Sequence, residues 1–451
     1  MDFTTSRQPV VIVGAGPAGL FAARFLATNH VPVILLNRDI KPGGLAEYGI
    51  YYNKYKMKAG LRKQFHQILN MPEIEYFGNV TVGENGNLSL DDIRDAGCQT
   101  ILITAGAQGT KWLGLPGEDL DGVYHAKDIV YHYNSLPPYS RQDFHVHGKV
   151  AIIGVGNVMM DIAHWAIHDL RVDEVIAIAR RGPAEVKFTR KEMEYVAANL
   201  DVSALDTELA RCADQMTALG QDPAAARAYI LEALPNALPT DSSTRLRFEF
   251  LESPTRIIGD KNGRVCGLEV EDTRLELRNG ETKAKGTGTH HVLQVDSVVY
   301  CIGDRVDAGL GLPVQWNAFV KNSQPCFPID GNSYEVLNPE KNQPLDGVFV
   351  AGWSREASSG LVGMARKDGE NGARAVLNYL NGLTPLKNEA AISRNLHQLL
   401  AQKNVQVVTL KDLHLLEQSE QEEANRRGLE DFKYATNEEM FAVITESQAV
   451  K

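Results

Sequence analysis

Along this chain, short apolar runs of strand type end in glycine and hand over to apolar positions at helical spacing. Val10 to Val13 is the first such run. It leads through Gly14-Ala-Gly16-Pro-Ala-Gly19 into a helix over Leu20 to Leu26, and a second run follows at Val33 to Leu36. The same succession returns at Val150 to Ile153. There Gly154-x-Gly156-x-x-Met159 precedes a helix with Ile162, Ala163, Ala166 and Ile167 on one side, and the next run is Val175 to Ala179. Further strands are expected at Thr100 to Ala105, ending in Gly106, at Asp296 to Gly303, and at Gly347 to Gly352, before a helix reaching Leu380. Leu246 to Leu277 alternates like paired strands with Lys261-Asn262-Gly263 as a hairpin turn. Met193 to Ala233 reads as helical, and the residues after Asn381 as helices with polar faces forming a cap. The pattern predicts an α/β chain with two Rossmann-like, three-layer dinucleotide-binding domains and no other internal repeat.

Composition narrows the class. The 451 residues are two to three domains' worth, and 43% hydrophobic content supplies packed cores. No apolar run approaches the roughly 18 residues of a membrane span. Met1 to Pro9 is too short and too little basic for a targeting peptide, so a cytoplasmic protein is expected. Five scattered cysteines (98, 212, 266, 301, 326) contain no C-x-x-C, which removes a redox dithiol, a zinc ribbon and an iron–sulfur run, and suits a reducing compartment. The net charge of −11 argues against nucleic acid and anionic membranes as partners.

The two glycine turns carry the candidate chemistry. Each brings bare backbone N–H groups and a helix N-terminus to a pyrophosphate. In the second unit the strand ends in Arg180-Arg181, two forks of donors for a ribose 2′-phosphate, so NADP is expected rather than NAD. Met159 departs mildly from the small residue usual at that position. In the first unit the acidic residue expected after the second strand is replaced by Asn37, whose amide could still meet a ribose hydroxyl, with Asp39 as the fallback. The glycines of Lys41-Pro-Gly-Gly44-Leu45-Ala-Glu-Tyr48-Gly-Ile50 let backbone pass close to a flat ring, or form an ordinary turn. Gly352-Trp353 and the glycine-rich helix start at Gly360 make a third place where backbone can meet a cofactor. Lys54 to Lys63 is basic within an acidic chain: a solvated face, or a docking patch for an acidic partner together with Arg366 and Lys367. His290-His291 has no third ligand at metal spacing and is expected to be structural or solvent-facing; no metal is expected.

These motifs resemble the adrenodoxin-reductase family of ferredoxin–NADP reductases, and more loosely the reductase subunit of glutamate synthase. The resemblance runs nearly end to end. It rests on Gly14-x-Gly16-x-x-Gly19, Pro42-Gly-Gly-Leu-x-x-Tyr-Gly-Ile50, Phe77-Gly-Asn-Val80, Leu115-Pro-Gly-Glu118, Gly154-x-Gly156-Asn157-Val158, Arg180-Arg-Gly-Pro183, Phe188-Thr189 and Gly352-Trp353 to Gly360. It implies a discontinuous FAD domain, residues 1–106 and 303–451 with the helical cap, and an inserted NADP domain over 107–302. FAD contacts are implied at Gly14, Gly16, Pro17, Ala18, Gly19, Asn37, Arg38, Gly44, Leu45, Tyr48, Ala105, Gly106, Gly352, Trp353, Gly360, Leu361 and Val362. NADP contacts are implied at Gly154, Gly156, Asn157, Val158, Arg180, Arg181 and Glu192, and a catalytic neighbourhood at Trp353, Gly360, Lys54 and Glu192.

Two departures stand out. Relatives carry Pro-Asp-His where this chain has Tyr52, Asn53 and Lys54, and a Glu that accompanies that His is replaced by Tyr195, with Glu192 and Glu194 close by. The expected activity is electron transfer from NADPH through FAD to a ferredoxin-type one-electron protein acceptor. The alternatives are the electron-input subunit of a larger oxidoreductase, or a flavin- or nucleotide-binding protein that has lost turnover.

Overall fold

The computed structural model describes residues 8–357, 360–383 and 390–449. The strands that position the site are, in chain order, β1 (Val10–Val13), β2 (Val33–Leu36), β3 (Ile74–Phe77), β4 (Thr100–Ile103), β5 (Val123–His125), β6 (Lys149–Ile153) and β7 (Glu174–Ala179). They continue with β8 (Arg245–Phe250), β9 (Glu252–Gly259), β10 (Val265–Arg278), β11 (Glu281–Leu293), β12 (Ser297–Tyr300), β13 (Glu335–Asn338) and β14 (Gln343–Val350). The helices used below are α1 (Pro17–Thr28), α2 (Tyr55–Leu69), α3 (Asn157–Trp165), α4 (Val202–Ala218), α5 (Val362–Leu380), α6 (Leu410–Arg427) and α7 (Asn437–Ala449). Among the described residues, no helix is long and apolar enough to cross a membrane.

The chain divides into two compact units. The first comprises Met1–Thr110, Tyr133–Arg141 and Gly303–Lys451, and the second Lys111–His132 and Gln142–Ile302.

In the first unit a six-stranded sheet has the order β13-β14-β4-β1-β2-β3, parallel except for β13 against β14. The parallel strands are short and apolar on both faces because helices cover both sides. Val10, Ile12, Val33 and Leu35 pack with Leu20, Phe21, Ala375 and Val376 on one face. Val11, Val13, Ile34 and Ile101 pack with Ile93, Leu396 and Leu400 on the other. The chain leaves β1 toward β2 and returns to β4 on its opposite side. The crevice at the C-terminal end of β1 is therefore the topological switch point, where nucleotides bind in open α/β sheets. Helices α6 and α7 close over this unit through Leu416, Met440 and Ile444, packed on Ile40 and Val408.

The second unit repeats the arrangement, with an all-parallel sheet in the order β5-β12-β6-β7-β8. Its switch point lies at the end of β6. The stretch that alternates from Leu246 to Leu277 resolves differently from a simple pair: β8 joins the parallel sheet beside β7, and the hairpin through Lys261-Asn262-Gly263 connects β9 with β10. Alternation reports which side of a strand is buried, not which strand is its neighbour. A third strand, β11, completes an antiparallel sheet in the order β9-β10-β11, and His290 and His291 lie on it.

Candidate functional site

The first nucleotide turn is built by the end of β1. Gly14 takes φ +108°, and an added Cβ would stand 2.7 Å from the backbone of Thr104 and Ala105, so the turn lies tight on β4. Gly14 N–H donates to Leu36 O at 2.7 Å, and the Thr104 hydroxyl donates to Gly14 O at 2.8 Å. Gly16 caps α1 with no side chain, and a Cβ placed there would meet nothing within 4 Å. The space above this helix N-terminus is open, which is the cradle a pyrophosphate requires. Gly43 N–H donates to Ala15 O at 2.7 Å, which lays the Lys41–Tyr48 loop beside the turn.

Two residues expected at this cofactor site belong to the protein interior. Asn37 is 6% exposed. Its Oδ1 accepts from Ala15 N–H at 3.1 Å, and its Nδ2 donates to Asp39 O at 2.8 Å and Lys41 O at 3.0 Å. The amide fastens the loop to the turn. Tyr48 is 1% exposed, with Lys433 Nζ 4.7 Å from its ring centroid, so it packs beneath the loop rather than lining it. Asp39 is engaged by Arg38 Nε at 2.9 Å, and Arg38 Nη1 donates to Gln108 Oε1 at 3.0 Å. Gly44 and Leu45 remain partly exposed on the loop.

The Gly352-Trp353 element is braced from three sides. Gly352 N–H donates to Asp368 Oδ2 at 2.6 Å, while Asp368 Oδ1 accepts from Arg355 Nη2 at 2.7 Å and from the Tyr334 hydroxyl at 3.1 Å. Ser354 Oγ accepts from Gly106 N–H at 2.9 Å and ties the element to the end of β4. Ala105, Gly106 and Trp353 are half-buried, whereas Gly360 and Leu361 stand exposed at the start of α5 and Val362 is partly covered. Ser358 and Ser359 lie outside the described residues. Asp368 belongs to no motif, and nothing in the stretch from Gly352 to Gly360 marks Ser354 as a brace; only the fold brings them to Gly352 and the end of β4.

The expected basic patch is divided by the structure. Lys56 and Lys63 are exposed on α2, and Lys54 is half-buried just before it. Lys58 is 1% exposed and hydrogen-bonded to Asn134 Oδ1, and Arg62 forms paired bonds with Glu47 and Asp431. Lys58 and Arg62 therefore cannot present charge to a partner, because α2 turns that face into the unit. Around them lies a buried ionic cluster in which Lys433 pairs with Glu47 at 2.6 Å and Lys41 with Glu420. Burial, with Lys433 close by, pushes the Lys58 ammonium down to about 7. Burial opposes the Glu47 charge, but Lys433 and Arg62 outweigh it and hold the carboxyl well below its usual range.

The second nucleotide turn has the same construction. Gly154 has φ +118°, where a Cβ would stand 2.4 Å from Cys301 O, and its N–H donates to Ile178 O at 2.9 Å. Gly156 caps α3 with open space where its Cβ would be. The third position tolerates Met159 because that side chain is fully buried. Lys187 N–H donates to Val155 O, and Thr189 N–H donates to Asn157 Oδ1 at 2.7 Å, so Phe188-Thr189 buttresses the turn. Val158 is exposed beside it.

Arg180 and Arg181 follow the last residue of β7, one exposed and one half-buried. Among the described residues neither guanidinium forms an ion pair, in contrast to Arg211, Arg245 and Arg247 of the same unit, each held by carboxylates. Glu192 sits half-buried in the short helix Arg190–Met193, whereas Glu194 is engaged by Lys191 at 2.7 Å, and Tyr195 stacks on His164. The four residues expected in the catalytic neighbourhood are thus carried by different units: Lys54, Trp353 and Gly360 by the first, Glu192 by the second.

His291, expected to lack ligating neighbours, has two. Its Nε2 lies 3.4 Å from Glu252 and its Nδ1 3.7 Å from Asp272, and one ligand atom from each residue falls within 4.8 Å of the others. Burial pushes the Glu252 carboxyl up to about 7. Spacing along the chain could not show this trio, since its members come from three adjacent strands.

The sequence profile of the pyridine nucleotide-disulphide oxidoreductases matches residues 8–331. The chain is 28% identical over 435 residues to NADPH-ferredoxin reductase FprA of Mycobacterium leprae, covering 89% of this chain and 90% of that protein. It is 26% identical over 467 residues to the mitochondrial NADPH:adrenodoxin oxidoreductase of Arabidopsis thaliana, covering 96% and 94%. In fold it is similar to Mycobacterium tuberculosis FprA in complex with NADPH, with a TM-score of 0.78 at 23% identity over 98% of this chain and 100% of that one.

Proposed function

This chain belongs to the pyridine nucleotide-disulphide oxidoreductase family, and from that premise we propose that it is an FAD-dependent enzyme that oxidises NADPH and passes the electrons to a ferredoxin-type protein acceptor. One observation carries the reading: two glycine turns share one construction, and among the described residues only the second is followed by two arginines without ion pairs. The first turn suits the ADP half of FAD, with Gly16 and the α1 N-terminus at the pyrophosphate. The second suits NADPH, with Gly156 and α3 at the pyrophosphate and Arg180 and Arg181 at the 2′-phosphate.

The redox chemistry, hydride acceptance from NADPH and one-electron release, would be supplied by FAD when bound. The protein's contribution is positional. Asp368 and Ser354 fix the Gly352-Trp353 backbone, and the arginines anchor the coenzyme remotely, so binding energy far from the nicotinamide orients it. None of the five cysteines belongs to a C-x-x-C. This favours transfer from the flavin to an external one-electron acceptor over a disulfide relay, and suits the reducing cytoplasm as its location. The relatives' names support the acceptor class: one reduces ferredoxin and another adrenodoxin.

Anaerobic addition of NADPH to the purified protein tests the proposal. The flavin absorbance should bleach rapidly with NADPH and slowly with NADH, and the reduced protein should then reduce an added ferredoxin. A flavin that NADPH does not bleach would refute the activity.

A further inference from the structure

Among the described residues the side chains of Arg180 and Arg181 have no partners, but their backbone does, and it is held from outside the nucleotide-binding sheet. The Thr273 hydroxyl donates to Arg180 O at 2.7 Å. Leu251 N–H donates to Arg181 O at 3.2 Å, and Thr273 N–H donates to Leu251 O at 2.7 Å. Thr273 is 4% exposed and Leu251 fully buried. Leu251 occupies left-handed backbone, with φ +54°, at the corner between β8 and β9. The pairing of β10 with β11 breaks register between Glu271 and Thr273. Strain at the corner and a bulge opposite it are local costs, and here both bring donors toward the two arginine carbonyls.

Resting on the assignment of Arg180 and Arg181 to the 2′-phosphate, we propose that Thr273 is a specificity-determining positioning residue for NADP. A carbonyl held by a short hydrogen bond fixes the peptide plane, and with it the direction of the Cα–Cβ bond that launches the guanidinium. Two forks of donors match a phosphate only when both launch directions are set in advance; otherwise their ordering opposes binding. Thr273 touches no coenzyme atom in this account. Its effect reaches only ligands that carry the 2′-phosphate.

The test is Thr273→Val in the flavin-loaded protein, a near-isosteric change that replaces the hydroxyl with a methyl group. Binding of 2′,5′-ADP and of ADP is measured by calorimetry. Losing one hydrogen bond that orders the site should weaken 2′,5′-ADP about 3- to 10-fold, while ADP affinity stays within about twofold. Thr273→Ser, which keeps the hydroxyl, should restore 2′,5′-ADP binding to within about twofold of the parent. Unchanged 2′,5′-ADP affinity, or equal weakening of both ligands, overturns the proposal. If Thr273→Val does not accumulate as folded protein, Thr273→Ala is judged by the same criteria. Arg180→Ala with Arg181→Ala serves as the control: if that pair does not separate the two ligands, the underlying phosphate assignment fails, whatever Thr273 does.

Discussion

Ala15 N–H donates to the carboxamide oxygen of Asn37 across the open end of the first sheet, at 3.1 Å. The other end of the same amide donates to the carbonyls of Asp39 and Lys41. Asn37→Ala strands these buried groups and should destabilise the protein by on the order of 2–4 kcal/mol, visible as a lowered melting temperature. Asn37→Asp is the sharper variant. It keeps the acceptor for Ala15 but turns a lone pair toward two carbonyl oxygens, so it should also destabilise. A ribose-binding role predicts instead that Asn37→Asp tightens FAD binding, and fluorescence titration of FAD distinguishes the two.

Arg180 and Arg181 carry the coenzyme assignment. Replacing both with Ala should raise KM for NADPH roughly 10- to 100-fold, the range expected for losing charge-assisted hydrogen bonds, and leave NADH turnover within about twofold. Steady-state kinetics with both coenzymes decides it, since equal losses would exclude contact with the 2′-phosphate.

Only the exposed members of the basic run can steer a partner. Lys56→Glu with Lys63→Glu should slow reduction of an acidic protein acceptor at low ionic strength by about tenfold and flatten its salt dependence, sparing a neutral quinone acceptor. Stopped-flow rates at several salt concentrations would return the run to a mere solvated face if both acceptors respond alike.

Lys58 makes stability depend on pH. Its folded pKa, about 7, lies below the usual lysine range because burial disfavours the ammonium. Between pH 7 and about 10 the unfolded chain therefore binds the extra proton, and stability rises with pH across that window, by at most about 1.4 kcal/mol per unit. Below pH 7 the penalty is fully present. Lys58→Met should flatten the rise, read from urea unfolding at pH 7, 8 and 9. An unchanged slope would show that Lys58 is not the group responsible.

Asp368 holds both Gly352 N–H and the Arg355 guanidinium. Asp368→Ala leaves that N–H without its acceptor and frees the turn, so FAD should dissociate at least several-fold more readily, as followed by flavin fluorescence on dilution. Asp368→Asn, which retains an acceptor oxygen, should lie between the two. Equal FAD retention in all three proteins would mean that the turn does not depend on this carboxylate.

Much of the scaffold was readable from the chain because its signals are local. An apolar run, a glycine turn and a helical spacing lie within thirty residues of one another, so the elements around Gly14 and Gly154 could be placed without knowing what packs on them. Arg180 and Arg181 were readable for the same reason, since the end of β7 follows from the run before it. The burial of Asn37, Tyr48 and Lys58 was not legible, because each sits beside a motif whose neighbours point outward, and nothing local records that these three point in. The Glu252–Asp272–His291 trio and the Thr273–Arg180 contact join residues from separate strands, and the register that unites them is set by a corner and a bulge.

The sequence by itself determined the two nucleotide turns and the arginine pair, because backbone conformation and charge at those positions depend on the residues themselves. The tertiary structure alone decided which polar groups remain available for chemistry. An amide or an ammonium becomes a fastening once burial removes water and supplies a partner, and both depend on segments hundreds of residues apart, as Lys433 against Glu47 demonstrates.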